Sequence, residues 1–215
     1  GRVKDTEPMD ITVGELFEEI AKYAWRNGEP GVVFIDEINR KNPLPGLGDI
    51  LTSNPCGEQF LHAYDNCNLG SINLAVFSKK GKLDEKRLRE VTRAAVRMLD
   101  NVIDKFDFPV KQVTEMAVKN RRIGLGIMGF ADLLYQLGIK YSSEEGYALA
   151  ERVMSIIKDE SRQISIELAK EKGEFPNWKL SVFARDKKKI KMRNAALTTV
   201  APTGSIAMMF DTSSG

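Results

Sequence analysis

Apolar residues along the chain follow two rhythms, one near 3.6 and one of short continuous runs, and the two alternate. Residues 11 to 26 set Ile11, Leu16, Phe17, Ile20, Ala21 and Ala24 at helical spacing, and Thr12 with Glu15 makes a capping box at the start. That helix should stop at Asn27 and Gly28. After Pro30 the run Val32 to Ile35 reads as a short buried strand, and the two prolines and two glycines between Asn42 and Gly48 mark an ordered loop, with a short extended stretch at Ile50 to Ser53. Ser71 to Phe77 predicts a second strand. Gly81 then turns the chain into a long amphipathic helix from about Asp84 to Lys105, with Leu88, Val91, Ala95, Met98, Leu99 and Val102 inside. A further helix follows Pro109, the Gly-rich segment Ile123 to Gly129 separates it from a helix at Phe130 to Leu137, and Ser142 or Ser143 caps one running to Lys172 before Gly173. Leu197 to Ala201 predicts a last strand. The fold class is α/β with helix in excess.

Composition narrows the class. With 215 residues, 42% of them apolar and 29% charged, the chain is expected to be one folded, water-soluble body. A net charge of +2 gives no global reason to expect DNA or an anionic membrane as partner, and the basic run Lys187 to Lys191 reads as a solvated face. No apolar stretch reaches the roughly 18 residues that span a bilayer and no leader pattern opens the chain, which points to the cytoplasm. Two cysteines cannot build a disulfide scaffold, and with one histidine they make a poor metal set. The chain begins at Gly1 without an initiator Met and stops at Gly215, so both ends read as cut or processed.

Several segments can carry chemistry. Asn54, Pro55, Cys56, Gly57 and Glu58 put a thiol between an amide and a carboxylate; in extended backbone Asn54, Cys56 and Glu58 face one side, though a structural cysteine in a turn has the same composition. Cys67, eleven residues on, suits either a redox step or plain core packing. Gly124, Gly126 and Gly129 match a dinucleotide fingerprint, making an NAD-dependent oxidoreductase a rival, but no full strand precedes them, and Arg121 and Arg122 read as structural or solvent-facing. Val32 to Glu37 mimics an ATPase acidic strand without any phosphate loop in the chain, which leaves Asp36 and Glu37 as strand-end polar groups. His62 as a thiol-protease partner of Cys56 is weaker than His62 as a surface or loop histidine, and Met208, Met209 and Phe210 read as core.

Four stretches together, NPCGEQ at 54 to 59, CNLGSINL at 67 to 74, NRRIGLGIMGFADLL at 120 to 134 and APTGSIA at 201 to 207, resemble the large subunits of ribonucleotide reductases, most closely the adenosylcobalamin-dependent class. The resemblance runs across essentially the entire chain and implies a segment, residues 1 to 215, of the family's ten-stranded α/β barrel, lacking the N-terminal half-barrel and the C-terminal tail. It implies a ribonucleoside-diphosphate reductase, although no residue chooses between diphosphate and triphosphate. By position, Cys56 would be the thiyl radical, Glu58 the base for the 3′ hydroxyl, and Asn54 a ligand of the ribose hydroxyls. Cys67 would be one of two reducing thiols, its partner lying N-terminal to this segment. Asn54 to Glu58 and the turn Pro202, Thr203, Gly204, Ser205 and Ile206 would bind substrate, the turn through its phosphates, though such a turn alone is more often an ordinary loop. The three glycines would let strand and helix pack closely. Expected partners are a ribonucleotide, the remaining reductase segments and a thioredoxin-like or other dithiol reductant. An isolated segment should be inactive until joined to the rest, and an inactive, assembly-only piece is the non-enzymatic alternative.

Overall fold

A computed structural model describes residues 10–215 of the chain, in two units divided after Lys41; Gly1, and with it the reading of the N-terminal stretch, lies outside the described residues. In the first unit the helix α1 (Val13–Asn27) forms where expected, with Thr12 and Glu15 bonded reciprocally and Gly28 closing it in the left-handed conformation. Its apolar stripe is not buried: Phe17 and Trp25 are exposed. The strand expected at 32 to 35 does not form. Val32, Val33 and Phe34 are exposed and the chain turns into α2 (Ile35–Arg40), because an extended run becomes a strand only with a ladder partner and the described part of this unit contains helices alone. Asp36 and Glu37 therefore occupy the first turn of α2, where Glu37 pairs with Arg40 and Lys41, and are not strand-end groups.

The second unit opens with the expected loop, tightened by a 3-10 turn at Pro45–Leu47, and a minimal antiparallel hairpin of β1 (Thr52–Ser53) and β2 (Phe60–Leu61). β3 (Asn68–Asn73) starts and ends before the expected Ser71 to Phe77, because the Asn73 side chain accepts the Ala75 N–H at 3.0 Å and starts a 3-10 turn at Leu74–Val76. A hairpin of β4 (Ser78–Lys79) and β5 (Lys82–Leu83) leads to α3 (Glu85–Ile103), capped by Asp84, and to α4 (Lys111–Asn120). The Gly-rich segment is not a loop: Ile123 to Met128 form β6, a buried strand parallel to β3. α5 (Phe130–Leu137), α6 (Glu144–Lys172, capped by Ser143), α7 (Val182–Arg185) and α8 (Gly204–Met209) complete the element order.

Register sets the two faces of the β3–β6 pair. Asn68 lies opposite Ile123 and Asn73 opposite Met128, so Ile72, Ile123, Leu125 and Ile127 share the face that packs with Leu88, Val96 and Leu99 of α3 and with Val153, Ile157 and Ile164 of α6. Residues 196–201 add a third parallel line beside β6 through Leu125 N–H to Leu197 C=O at 2.8 Å and Thr199 N–H to Leu125 C=O at 3.1 Å, although only the Thr198–Leu125 bridge has full ladder geometry. The predicted strand at 197 to 201 is thus a partner line with little regular strand. α3 and α6 are further keyed by ion pairs, among them Arg97 with Glu171 at 2.7 Å and Arg152 with Glu85 at 2.5 Å. Within this unit Met98 and Val102 fall outside the core face of α3, and Met208, Met209 and Phe210, expected in the core, are exposed, since in six-residue α8 only Ala207 turns inward.

Candidate active site

Opposite the helix-covered face, β3 and β6 present Leu69, Ser71 and Asn73 beside Gly124, Gly126 and Met128, and this is where the chemistry gathers. Gly124 and Gly126 lie inside β6 and only Gly129 follows it, at the start of α5, so the three form no dinucleotide-type phosphate turn. Each is required by a neighbour: a Cβ on Gly124 would lie 2.8 Å from both the Cys67 Sγ and the Thr199 methyl, one on Gly126 only 2.1 Å from the Thr199 carbonyl oxygen, and one on Gly129 2.5 Å from Asn73 Oδ1. They let residues 196–201 and Cys67 close onto the strand.

The segment from Asn54 to Glu58 is a turn joining β1 to β2, and the extended geometry expected for it is not adopted. Asn54 C=O accepts the Gly57 N–H at 3.0 Å, Gly57 sits at φ +80°, and both the Asn54 N–H and its side-chain Oδ1 bond Gln59 at 3.0 Å. Pro55 favours such a turn by presetting its own φ. Alternation therefore does not align the three residues; the turn holds Cys56 exposed at its apex and draws Glu58 inward, with Oε2 buried and unpaired. The structural-cysteine reading of Cys56 fails on that exposure. Thr199 Oγ1 donates to the Glu58 carbonyl at 2.9 Å, so the turn is tied to the third line of the sheet.

Cys67 stands at the entry to β3, partly buried over Gly124. Burial pushes its thiol up to about 12; Arg122 pulls it down, and Asp65 and Glu58 add to the rise. At neutral pH it is a protonated thiol. The structure thus brings Cys67 and Thr199 together at Gly124, with the Glu58 carbonyl bonded to Thr199, and neither cysteine is in a disulfide.

Behind Cys67 lies a charged cluster that composition alone left unread. Arg122 Nε donates to Asp65 Oδ2 at 3.0 Å, and both side chains are buried. Burial raises the Asp65 carboxyl, but His62, Arg122, Asn120 and the Asn66 N–H together hold it below the usual carboxylate range. His62 is neither at the surface nor paired with Cys56; it is buried, with Nε2 3.1 Å from the Gly48 carbonyl and Nδ1 3.9 Å from Asp65. Arg121, in the left-handed conformation at φ +46°, is equally buried against Asp100 and Asp104. Both arginines are structural in the sense expected, and neither faces solvent. The available signal was two charges directly ahead of an apolar strand, since a charge entering a core must be paired.

At the other end of β6, Pro202 to Ile206 form a turn that opens α8. Thr203 is buried at φ +54°, its hydroxyl accepting the Gly215 N–H at 2.8 Å, while Gly204 and Ser205 are exposed. Thr212 and Ser213 dock beside it on Asp132, whose carboxyl is held low by the Ser213 hydroxyl and N–H at 2.6 and 2.7 Å and by Thr212. From Thr199 to Thr203 the chain covers on the order of 13 Å if extended. The lysines of the run Lys187 to Lys191 are exposed, as expected, with Lys191 paired to Glu174, while Ile190 between them packs against the core beside Phe175 and Met192. Among the described residues no helix is long and apolar enough to cross a membrane.

The family model described as the ribonucleotide reductase barrel domain matches residues 2–215. Vitamin B12-dependent ribonucleoside-diphosphate reductases of Thermoplasma acidophilum and Mycobacterium tuberculosis are each 49% identical to this chain over 205 residues, 95% of it. The ribonucleoside-diphosphate reductase subunit alpha of Chlamydia muridarum is 37% identical over 179 residues. The chain spans 26% of the length of the first of these relatives and 29% of the second.

Proposed function

Since the chain belongs to the ribonucleotide reductase barrel-domain family, we propose that it carries the radical and reducing centre of an adenosylcobalamin-dependent ribonucleoside-diphosphate reductase. The observation that carries this reading is that Cys67 and Thr199 meet at Gly124 while Glu58 is tied to Thr199 and acts on the Cys67 thiol, in a turn whose apex exposes the Cys56 thiol. Adenosylcobalamin, the chemistry implied by the names of the vitamin B12-dependent relatives, supplies a carbon-centred radical when bound. The exposed apex of Pro55 and Cys56 fits access by such a group.

In this reading the Cys56 sulfur, once oxidised to a thiyl radical, takes the hydrogen atom from the ribose 3′ carbon. Glu58 accepts the 3′ hydroxyl proton; a buried carboxylate oxygen without a donor is suited to that task. Asn54 holds the ribose hydroxyls through the amide nitrogen, its oxygen being committed to Gln59. Cys67 and a partner cysteine outside these residues supply two electrons and two protons, so that ribonucleotide and dithiol become deoxyribonucleotide, water and a disulfide. A thioredoxin-like or small dithiol then restores the pair. The first-turn N–H groups of Gly204, Ser205 and Ile206, with the hydroxyls of Thr203 and Ser205, would hold the phosphates. The isolated chain should be silent, because the two strands and their partner line form an open sheet and not a closed barrel.

Ribonucleotide reduction by the chain joined to the remaining reductase segments, with adenosylcobalamin and a dithiol, tests this directly. Turnover should need cobalamin and vanish in Cys56→Ser with the fold retained. Cys67→Ser should lose multiple turnovers with external dithiol. Near-normal turnover in Cys56→Ser would refute the radical role.

A further inference from the structure

Among the described residues, four of the five buried side-chain polar atoms that lack a hydrogen-bond partner belong to Glu58, His62, Asn120 and Arg122. His62, Asn120 and Arg122 face Asp65, and Glu58 acts on Cys67 two residues further on. Asp65 binds Arg122 Nε at 3.0 Å, and Arg122 Nη2 lies equally near the same oxygen but off the bonding direction, so its protons remain unspent in a side chain only 3% exposed. Two residues beyond Arg122 on the same strand face is Gly124, which meets the Cys67 sulfur; two residues beyond Asp65 is Cys67 itself. The register of Asn68 with Ile123, carried one residue back, sets Cys67 beside Arg122. A glycine opening, a buried cation with free protons and a thiol thus meet at one point, and a fully buried cation retained beside a thiol needs a reason beyond packing.

We propose that Arg122, fixed in place by Asp65, is a positioning residue for the Cys67 sulfur, stabilising it as a thiolate during thiol–disulfide exchange. This role rests on the reading of Cys67 as a reducing thiol. When an external dithiol reduces the Cys67 disulfide, a reductant thiolate attacks the partner sulfur and the S–S bond breaks. The Cys67 sulfur leaves with the bonding pair and then takes a proton from water; the second reductant thiol closes on the first, so the reductant ends as a disulfide and the enzyme pair as two thiols. Arg122 lowers the cost of the leaving sulfur's charge, whereas Asp65 and Glu58, the two carboxylates that also act on Cys67, raise it.

The chain has two cysteines, so Cys56→Ser leaves Cys67 as its sole thiol and iodoacetamide alkylation followed against pH reads that sulfur alone. In this background Arg122→Gln should slow alkylation about tenfold between about pH 8 and 10, one unit of thiolate equilibrium, while Arg122→Lys stays within about threefold of the parent. Asp65→Asn should speed it by a similar factor. Mere loosening of the site would expose the thiol and speed both Arg122→Gln and Asp65→Asn; that result, or no change in either, overturns the proposal. If Arg122→Gln does not fold, the uncharged Arg122→Met takes its place, with slower alkylation expected and faster or unchanged alkylation overturning the proposal. The assay is independent of turnover: normal multiple turnover by Cys67→Ser would sink the reducing role of Cys67 while leaving the alkylation result intact.

Discussion

At the residue scale, the site depends on the absence of side chains as much as on their presence. Gly124, Gly126 and Gly129 invite a nucleotide-fingerprint reading by spacing, but their contacts show that each makes room for Cys67, Thr199 or Asn73. Gly126→Ala is the sharpest test, since its Cβ would meet backbone that cannot rotate away. Urea unfolding should show a loss of about 1–3 kcal/mol or more, with residues 196–201 losing amide protection from hydrogen exchange; unchanged protection would contradict the packing assigned to this glycine. The two cysteines were both legible as chemistry and differ in surroundings that spacing cannot supply. Cys56 lies at an exposed apex because Pro55 and Gly57 bend the chain, and Cys67 is partly buried because Gly124 lets it settle on β6. His62, expected at the surface or in a loop, does lie in the loop after β2 but is buried there, because a single polar ring carries no sequence mark of the Gly48 carbonyl and Asp65 that enclose it.

At the element scale, helices were read well and strands poorly, for a physical reason. A helix satisfies its own backbone, so caps and a 3.6-residue rhythm suffice to mark it; Thr12, Ser143, Gly138 and Gly173 all stand at the expected boundaries. Asp84 can be tested in this light: its carboxylate accepts the Arg87 N–H at 3.1 Å, and Asp84→Ala should cost about 1 kcal/mol in urea unfolding, with no loss indicating that the cap is idle. A strand needs another strand. Val32 to Phe34 has the composition and no strand partner among the described residues of its unit, whereas Ile123 to Met128 has two interior glycines and is a buried strand because β3 and residues 196–201 flank it. The Leu74–Val76 turn shortened β3 for a local reason, the Asn73 side chain capturing a backbone N–H that the strand would have used.

At the scale of the whole molecule, the Asn42–Gly215 unit is joined by one buried polar knot. Asp100, fully buried on α3, receives Arg121 Nε at 2.9 Å, Asn194 Nδ2 at 2.9 Å and Arg193 Nε at 3.3 Å, and Asn194 also bonds Ser165 on α6 at 2.9 Å. Three distant stretches, α3, the end of α4 and residues 193–194, thus meet on one carboxylate, and Asn194 extends the knot to α6. Removing it leaves Arg121 with Asp104 alone and Arg193 with only the Lys172 and Gly173 carbonyls, and Asp100→Ala should cost about 3–5 kcal/mol in urea unfolding; a loss under about 1 kcal/mol would mean the knot is replaceable by water. Met208, Met209 and Phe210, exposed at the end of α8, show where pattern overestimated burial: a hydrophobic side chain is buried only if another element reaches it. What the sequence determined by itself was whatever is local or carried by motif: the helices and their caps, the α/β class, and the family resemblance with its two cysteines, the Asn54 and Glu58 pair and the 202–206 turn. What only the tertiary structure decided was pairing, namely that a glycine run is a strand, that Cys67 rests on Gly124 while Thr199 ties down Glu58, and that Asp65 holds Arg122. Those outcomes depend on contacts between residues 50 to 140 positions apart, and a contact energy between distant residues exists only once the chain has brought them together.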